Sequence, residues 1–178
     1  MKLWTAPTHE LGSRRLRAVR DLLEIAFEGV FSDDDWDHTL GGVHVWIEDE
    51  RGLAAHGAVG QRRVLHRGRS YRVGYVEGVA VRADVRRQGL GGAVTGELER
   101  VIDGAYAFGA LSASEAGAGL YRGRGWRVWE GRIETLSPDG IVRLPDEEGS
   151  TYLRPAAGRP LPDAAAPLVF DWRDGDVM

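Results

Sequence analysis

The stretch YVEGVAVRADVRRQGLGGAVT, residues 75–95, decides how this chain is read. It opens on an apolar run over residues 76–81 that predicts a strand, passes through a charged bend at residues 82–88, and reaches Gly89-Leu90-Gly91-Gly92. Apolar residues then recur at Leu90, Ala93, Val94, Leu98, Val101 and Ile102, spacings that lay one stripe along a helix. Glycines leading into a helix N-terminus bare backbone N–H groups and create an anion site. Arg86 and Arg87 stand just before it and add positive charge. Such a loop is suited to a phosphate-bearing ligand. A nucleotide-hydrolase P-loop would need Lys-Ser/Thr after the last glycine, where Ala93-Val94 stand. A dinucleotide fingerprint would need a glycine at Val94 and no bend after the strand.

Working outward, 178 residues fit one domain, residues 1–178, with a sizeable core. Apolar content of 43% and charged content of 28% are those of a soluble globule. The absence of cysteine excludes disulfides, thiolate catalysis and cysteine zinc sites. Neither an apolar signal core nor a run of membrane-spanning length is present, so the expected location is the cytoplasm, with no membrane partner. A net charge of −4 argues against a nucleic-acid partner and mildly favours cationic ones. His9, His38, His44, His56 and His66 show no metal spacing, and no metal is expected.

Along the chain, residues 2–7 read as a strand, and Ser13 as the N-cap of a helix ending near Phe27. Residues 33–42 read as polar and turn-rich. Strands follow at 43–47, 53–66 and 71–81, with a turn at Arg67-Gly68-Arg69. After the glycine loop and its helix come a strand over 105–112, a short helix over 115–122 and a strand over 125–129, with further strands near Leu153 and Val169-Phe170. Residues 156–167 form a Pro/Ala-rich connection. Arg62-Arg63 read as surface charge. This order predicts an α/β (α+β) fold with a mixed sheet and helices on both faces.

The pattern Arg86-x-x-Gly89-x-Gly91 between strand and helix resembles the coenzyme A loop of the GCN5-related N-acetyltransferases (GNAT). The element order resembles theirs too, which implies a mostly antiparallel central sheet splayed in a V. Six phrases in matching order are similar to the aminoglycoside 2'-N-acetyltransferases: DWDHTLGGVHVWI (35–47), GYVEGVAVRADVRRQGLG (74–91), GALSAS (109–114), LYRGRGW (120–126), PDEEG (145–149) and DWRDGDV (171–177).

Acetyl transfer to an amine needs a slot for acetyl-coenzyme A, a base for the ammonium proton, a donor for the oxyanion and an acid for the departing thiolate. The resemblance implies that Val79, Ala80 and Val81 with Arg86, Arg87, Gln88, Gly89, Leu90 and Gly91 hold the coenzyme, Val79 N–H facing the thioester oxygen. It makes Glu77 the base, acting through water, and Tyr121 the acid. On the residues alone, Glu77 also reads as a solvent-facing position of an alternating strand, and Tyr121 as a helix aromatic packed on the sheet. The acidic runs at 33–37, 146–148 and 171–176 read singly as solvated surface. A polyamine substrate would be concentrated by such carboxylates. The resemblance implies substrate contacts at Asp35, Glu147, Asp176 and the terminal carboxylate of Met178, and at Ser112, Glu77 and the Gly78 backbone. Trp36, beside the acidic run, is a candidate for sugar stacking. The chain departs from the family pattern at Val30, where an aspartate is common, and at Met178, where tryptophan is common. The resemblance also implies a homodimer. Two other readings stay open: an N-acetyltransferase for a smaller amino sugar such as kasugamycin or for a cell-wall amine, and a non-catalytic module of this fold that binds cationic ligands.

Overall fold

The computed structural model describes residues 1–178, which form two compact units. Each unit is built from two separated stretches: Met1–Gly60 with Val76–Val101, and Gln61–Tyr75 with Ile102–Met178. The fold class is mixed α/β. Strand neighbours run β6 (Arg127–Val128), β9 (Thr151–Pro155), β5 (Phe108–Ser112), β4 (Arg69–Val81), β3 (Gly52–His66), β10 (Leu168–Asp171), β7 (Ile133–Ser137) and β8 (Gly140–Arg143), with β2 (Val43–Asp49) pairing β1 (Lys2–Pro7) and β3.

In the first unit, β1 (Lys2–Pro7) pairs antiparallel with β2 (Val43–Asp49), and β2 with the start of β3 (Gly52–His66). Helix α1 (Thr8–Ala26) buries Leu11, Val19, Leu22 and Leu23, which pack with Trp46 and Ala80. The helix starts five residues before the expected Ser13 cap. Pro7 leads into it with an extended backbone, and the Thr8 N–H bonds the Gly42 carbonyl at 3.0 Å. It breaks at Gly12, whose φ of 70° is non-helical, and resumes at Ser13. Residues expected as turn form α2 (Asp33–Thr39) instead. Its cause is a reciprocal cap: the Ser32 hydroxyl accepts from Asp35 N–H, and the Asp35 carboxylate accepts from Ser32 N–H. Helix α3 (Leu90–Ala105) buries Leu90, Val94, Leu98 and Ile102 as its stripe predicts, while Ala93 faces solvent. Gly57 of β3 lets α3 approach, since a Cβ there would lie 2.9 Å from both Val94 and Leu98.

In the second unit, the end of β3 turns into β4 (Arg69–Val81) through Arg67 and Gly68, both at positive φ (47° and 75°), the signature of a two-residue hairpin turn. The β4 ladder with β5 (Phe108–Ser112) is parallel and runs from Val73↔Phe108 to Tyr75↔Ala110. Strand β5 starts later than expected because α3 continues to Ala105. Helix α4 (Glu115–Gly123) ends where Gly125 takes a φ of 85° and Trp126 N–H closes back on the Tyr121 carbonyl. That closure shortens β6 to Arg127–Val128. A hairpin of β7 (Ile133–Ser137) and β8 (Gly140–Arg143) was not anticipated. Strand β9 (Thr151–Pro155) pairs β5 and β6, and β10 (Leu168–Asp171) runs parallel to β7 and antiparallel to β3. The core gathers Val73, Tyr75, Phe108, Ile133, Phe170 and Met178 among others.

Candidate active site

The first unit carries the anion loop. Arg87 and Gly89 both lie in the left-handed region (φ 62° and 84°), so the chain curls tightly before α3. The Gly89 carbonyl accepts from Ala93 N–H, which starts the helix, and no acidic residue lies in its first turn. Arg86, Arg87, Gln88 and Gly89 are exposed, Leu90 is buried and Gly91 half-buried. Arg86 is steered by a bond from its Nε to the Val81 carbonyl at 3.1 Å. The loop thus presents positive charge and the N–H end of a helix together, an arrangement that fits the phosphates of a coenzyme A. Arg82 does a different job. It bonds Asp49 at 2.5 Å, Asp84 at 2.7 Å and the Leu53 carbonyl at 3.0 Å. These hydrogen bonds raise the Arg82 pKa and pull both carboxyls below their usual range. Its charge is therefore spent on the scaffold. A cavity of about 230 Å³ opens beside this segment, lined by Leu22, Ile25, Leu53, Val81, Arg82 and Arg86.

Upstream on β4, Val79 and Val81 are half-buried and Ala80 is buried. Glu77 is half-buried and precedes a kink at Gly78, which has a φ of 54°. A Cβ at Gly78 would stand 3.0 Å from Thr39 and 3.2 Å from Leu23. The helix bearing Asp35 and Trp36 therefore ends against the Glu77-Gly78 step. Asp35 uses Oδ2 for both Ser32 bonds, at 2.8 Å each. Trp36 is half-buried, packs on the α1 core and has the Arg20 guanidinium 5.9 Å from its ring. Behind Gly78 lies a pair the sequence reading passed over: His56 Nδ1 is 2.8 Å from the Gly78 oxygen, and His44 Nδ1 is 2.9 Å from His56 Nε2. Both rings are fully buried, and burial pushes their pKa values down, to about 4 for His44 and about 3 for His56.

The second unit holds the remaining candidates. Tyr121, on α4, is 7% exposed and lies edge-on to Trp126 at 5.9 Å and tilted against Tyr152 at 6.5 Å. Ser112 and Glu147 come together: the Ser112 hydroxyl donates to Glu147 Oε2 at 2.8 Å, and Ser150 joins the same oxygen at 3.2 Å. Asp176 is exposed and accepts from Met178 N–H at 3.1 Å. Met178 is only 7% exposed, and its side chain belongs to the core. Val30, the other departure, is 83% exposed on the turn after α1. Arg62 is not surface charge: it is 5% exposed and gathers Asp171 and the Val177 carbonyl.

The family profile of the acetyltransferase (GNAT) domain matches residues 8–129. An aminoglycoside 2'-N-acetyltransferase of Mycolicibacterium fortuitum is 46% identical over 173 residues, covering 96% of this chain and 88% of that protein. The chain belongs to the GNAT acetyltransferases, in the aminoglycoside 2'-N-acetyltransferase family. It is accordingly an acyltransferase. Among solved structures, a GNAT family N-acetyltransferase of Escherichia coli in complex with CoA matches with a TM-score of 0.65 at 16% identity, over 97% of this chain and 89% of that one. A GNAT family acetyltransferase of Brucella melitensis in complex with acetyl-CoA matches at 0.60 and 15% identity, over 93% and 94%. Two longer chains, a probable N-acyltransferase of Enterococcus faecalis and Eis1 of Mycobacterium abscessus, match as well, and this chain spans 33% of the length of each.

Within the 2'-N-acetyltransferase frame, three residues that matter to the local geometry escaped the sequence reading. Ser32 was legible, because Ser-x-x-Asp before a Trp is a variant of the capping box. His44 and His56 stand on strands that pair, Val45↔Gly57 and Trp46↔His56 being register partners. Nothing in their spacing announces that their rings meet. No helix of the chain is long and apolar enough to cross a membrane.

Proposed function

We propose that this chain transfers an acetyl group from acetyl-coenzyme A to the 2'-amine of an aminoglycoside. The observation that carries the reading is the likeness to the Mycolicibacterium fortuitum enzyme over nearly the whole chain. The curled loop before α3, with exposed Arg86 and Arg87, supports the coenzyme assignment. So do the coenzymes bound by the structural relatives. Acetyl-coenzyme A supplies the activated acetyl group. Residues 86–91 hold its phosphates, and Val79, Ala80 and Val81 offer backbone to its arm. Glu77 takes the ammonium proton through water, Val79 N–H faces the oxygen that gains charge, and Tyr121 protonates the sulfur. Asp35, Trp36, Ser112, Glu147 and Asp176, with the Gly78 backbone and the terminal carboxylate of Met178, contact the aminoglycoside. Residues 1–178 work as one domain, because each compact unit draws on two separated stretches of chain. The protein works in the cytoplasm as a homodimer. The β7–β8 hairpin, which exposes Leu136, Ile141 and Val142, offers apolar surface for assembly.

The test is release of free thiol from acetyl-coenzyme A with a panel of aminoglycosides, followed by NMR location of the acetyl group. Acetyl on the 2'-amine is expected. Tight drug binding without thiol release would mark a binding module, and turnover confined to sparsely aminated sugars would move the substrate to a smaller amine.

A further inference from the structure

The buried chain Thr8–His44–His56–Gly78 has a defined direction. The Gly78 carbonyl only accepts, so His56 Nδ1 carries a proton and donates at 2.8 Å. A neutral His56 then accepts at Nε2, which makes His44 Nδ1 the donor at 2.9 Å. His44 Nε2 in turn accepts from the Thr8 hydroxyl at 2.9 Å. The Gly42 carbonyl also lies 3.2 Å from the Thr8 hydroxyl and competes for its one proton; the neutral His44 ring at 2.9 Å takes that proton, and the carbonyl keeps its bond from Thr8 N–H at 3.0 Å. Every ring nitrogen is satisfied, with both rings protonated on Nδ1. Such a network is worth keeping in a core only when complete, because an unmet polar group there is costly.

The chain of bonds ends at an unusual place. Gly78 is the kink in β4, held at a φ of 54° that only glycine adopts without strain, and Glu77 directly precedes it. The rings come from β2 and β3, and the hydroxyl from the first residue of α1. Three elements thus converge on one carbonyl. On one side of Gly78, Thr39 and Leu23 close the space a Cβ would take, and the imidazole bond fixes the peptide's rotation.

We propose that His56, backed by His44 and Thr8, is a positioning residue for acetyl transfer: it locks the Gly78 carbonyl, and with it the planar Gly78–Val79 peptide, and thereby aims the Val79 N–H. The inference rests on the reading of the Val79 N–H as the donor that faces the thioester oxygen. His56 touches neither substrate nor coenzyme. It acts through the peptide whose other end is the Val79 N–H, where a misplacement of about 1 Å can cost on the order of 100-fold in rate.

The experiment compares His56→Leu, which removes the donor, with His56→Asn, whose amide N–H falls where Nδ1–H stood. Steady-state kinetics by thiol release are read well below each variant's melting temperature, with coenzyme A affinity by calorimetry as the check on the fold. His56→Leu is expected to lose about 10- to 100-fold in kcat with KM and coenzyme affinity within about 2-fold, and His56→Asn to recover most of the loss. Should His56→Leu fail to fold, His44→Leu tests the same lock one bond further back, with a smaller fall in kcat. Long-range proton–nitrogen NMR of the wild-type protein is expected to show Nδ1–H on both rings. Wild-type kcat in His56→Leu, or an Nε2–H tautomer at His56, would overturn the lock. Glu77→Gln is measured in parallel. If it keeps wild-type turnover while His56→Leu stays slow, the base assignment falls and the lock on Gly78 stands.

Discussion

The Arg62 guanidinium donates to the Asp171 carboxylate at 2.7 Å, to the Asp171 carbonyl at 2.5 Å and to the Val177 carbonyl at 2.5 Å. One cation thus fastens the end of β10 and the tail that follows it. Its charge is almost wholly buried, its side chain being 6% exposed, and it lies 5.0 Å over both the Tyr75 and Phe170 rings.

Removing that cation should be costly. Arg62→Met takes three hydrogen bonds from Asp171 and Val177; Arg63 N–H still serves the Asp171 carboxylate and Arg173 Nε the Val177 carbonyl, each at 3.0 Å, but the Asp171 carbonyl loses its cationic donor, and a stability loss of roughly 3 kcal/mol is expected. At about 2–4 °C per kcal/mol for a chain of this size, the melting temperature should drop by about 6–12 °C. Asp171→Asn, which keeps an acceptor, should lose less. Thermal unfolding of the two variants checks the order, and a drop under about 2 °C for Arg62→Met would show that the tail docks by apolar packing alone.

Gly78→Ala and Gly89→Ala separate strain from crowding. Both positions lie at positive φ, 54° and 84°, where a Cβ costs roughly 1–2 kcal/mol. At Gly89 the added carbon meets open space, whereas at Gly78 it meets Thr39 at 3.0 Å and Leu23 at 3.2 Å. Gly78→Ala should therefore be the less stable variant in urea unfolding, and its lost turnover should come with unchanged coenzyme affinity. Gly89→Ala should weaken coenzyme A instead. Equal stability of the two would mean that Thr39 and Leu23 yield freely.

The buried histidines give the fold a pH signature. Their folded pKa values, about 4 for His44 and about 3 for His56, lie below the unfolded value of about 6.5. The unfolded chain therefore binds more protons in between. Their contribution to stability is complete above about pH 6.5 and is lost as pH falls toward the folded values. Each ring costs about 1.4 kcal/mol per pH unit once well inside that window. Asp49 and Asp84, whose pKa values are lowered by Arg82, act in the same direction but at lower pH, because carboxylates titrate near 4 when unfolded. Urea midpoints between pH 7 and 5 isolate the histidines. The double variant His44→Gln/His56→Asn should flatten that slope, and an unchanged slope would assign it elsewhere.

Much of this was legible in the chain because hydrophobic period and glycine placement act locally. The strand, bend and helix of residues 75–95 and the buried stripe of Leu90, Val94, Leu98 and Ile102 followed from spacing alone. The β7–β8 hairpin was missed although Ser137-Pro138-Asp139-Gly140 is a turn signal with a mechanism. Helix α2 was missed because three aspartates look like a solvated run until Ser32 is seen as their cap. Arg62 and the histidine pair belong to another category. Their partners lie 12 to 115 residues away, and only tertiary structure says that Arg62 turns inward or that two imidazoles meet.

The pairing of Ser112 with Glu147 yields a prediction about substrate. Glu147 Oε2 takes hydroxyls from Ser112 at 2.8 Å and Ser150 at 3.2 Å, which holds the carboxylate in one orientation while it remains only half-buried. If that carboxylate binds an ammonium group of the aminoglycoside, Glu147→Gln should raise KM by about 5- to 20-fold with little change in kcat, because the contact is made equally in ground and transition states. Ser112→Ala should raise KM less, and in the double variant its effect should vanish, since the serine acts through the carboxylate it orients. The Glu147→Gln effect should shrink with added salt, as exposed charges are screened over about 8 Å at physiological ionic strength. Asp35→Asn should behave differently, losing stability as well as affinity, because its carboxylate also caps α2. Coenzyme affinity should follow none of these changes. Kinetics on a richly and a sparsely aminated aminoglycoside at two salt concentrations make the comparison. Wild-type KM values for Glu147→Gln on both substrates would show that its carboxylate serves only to bind the two serines and that the charge recognising the drug lies elsewhere.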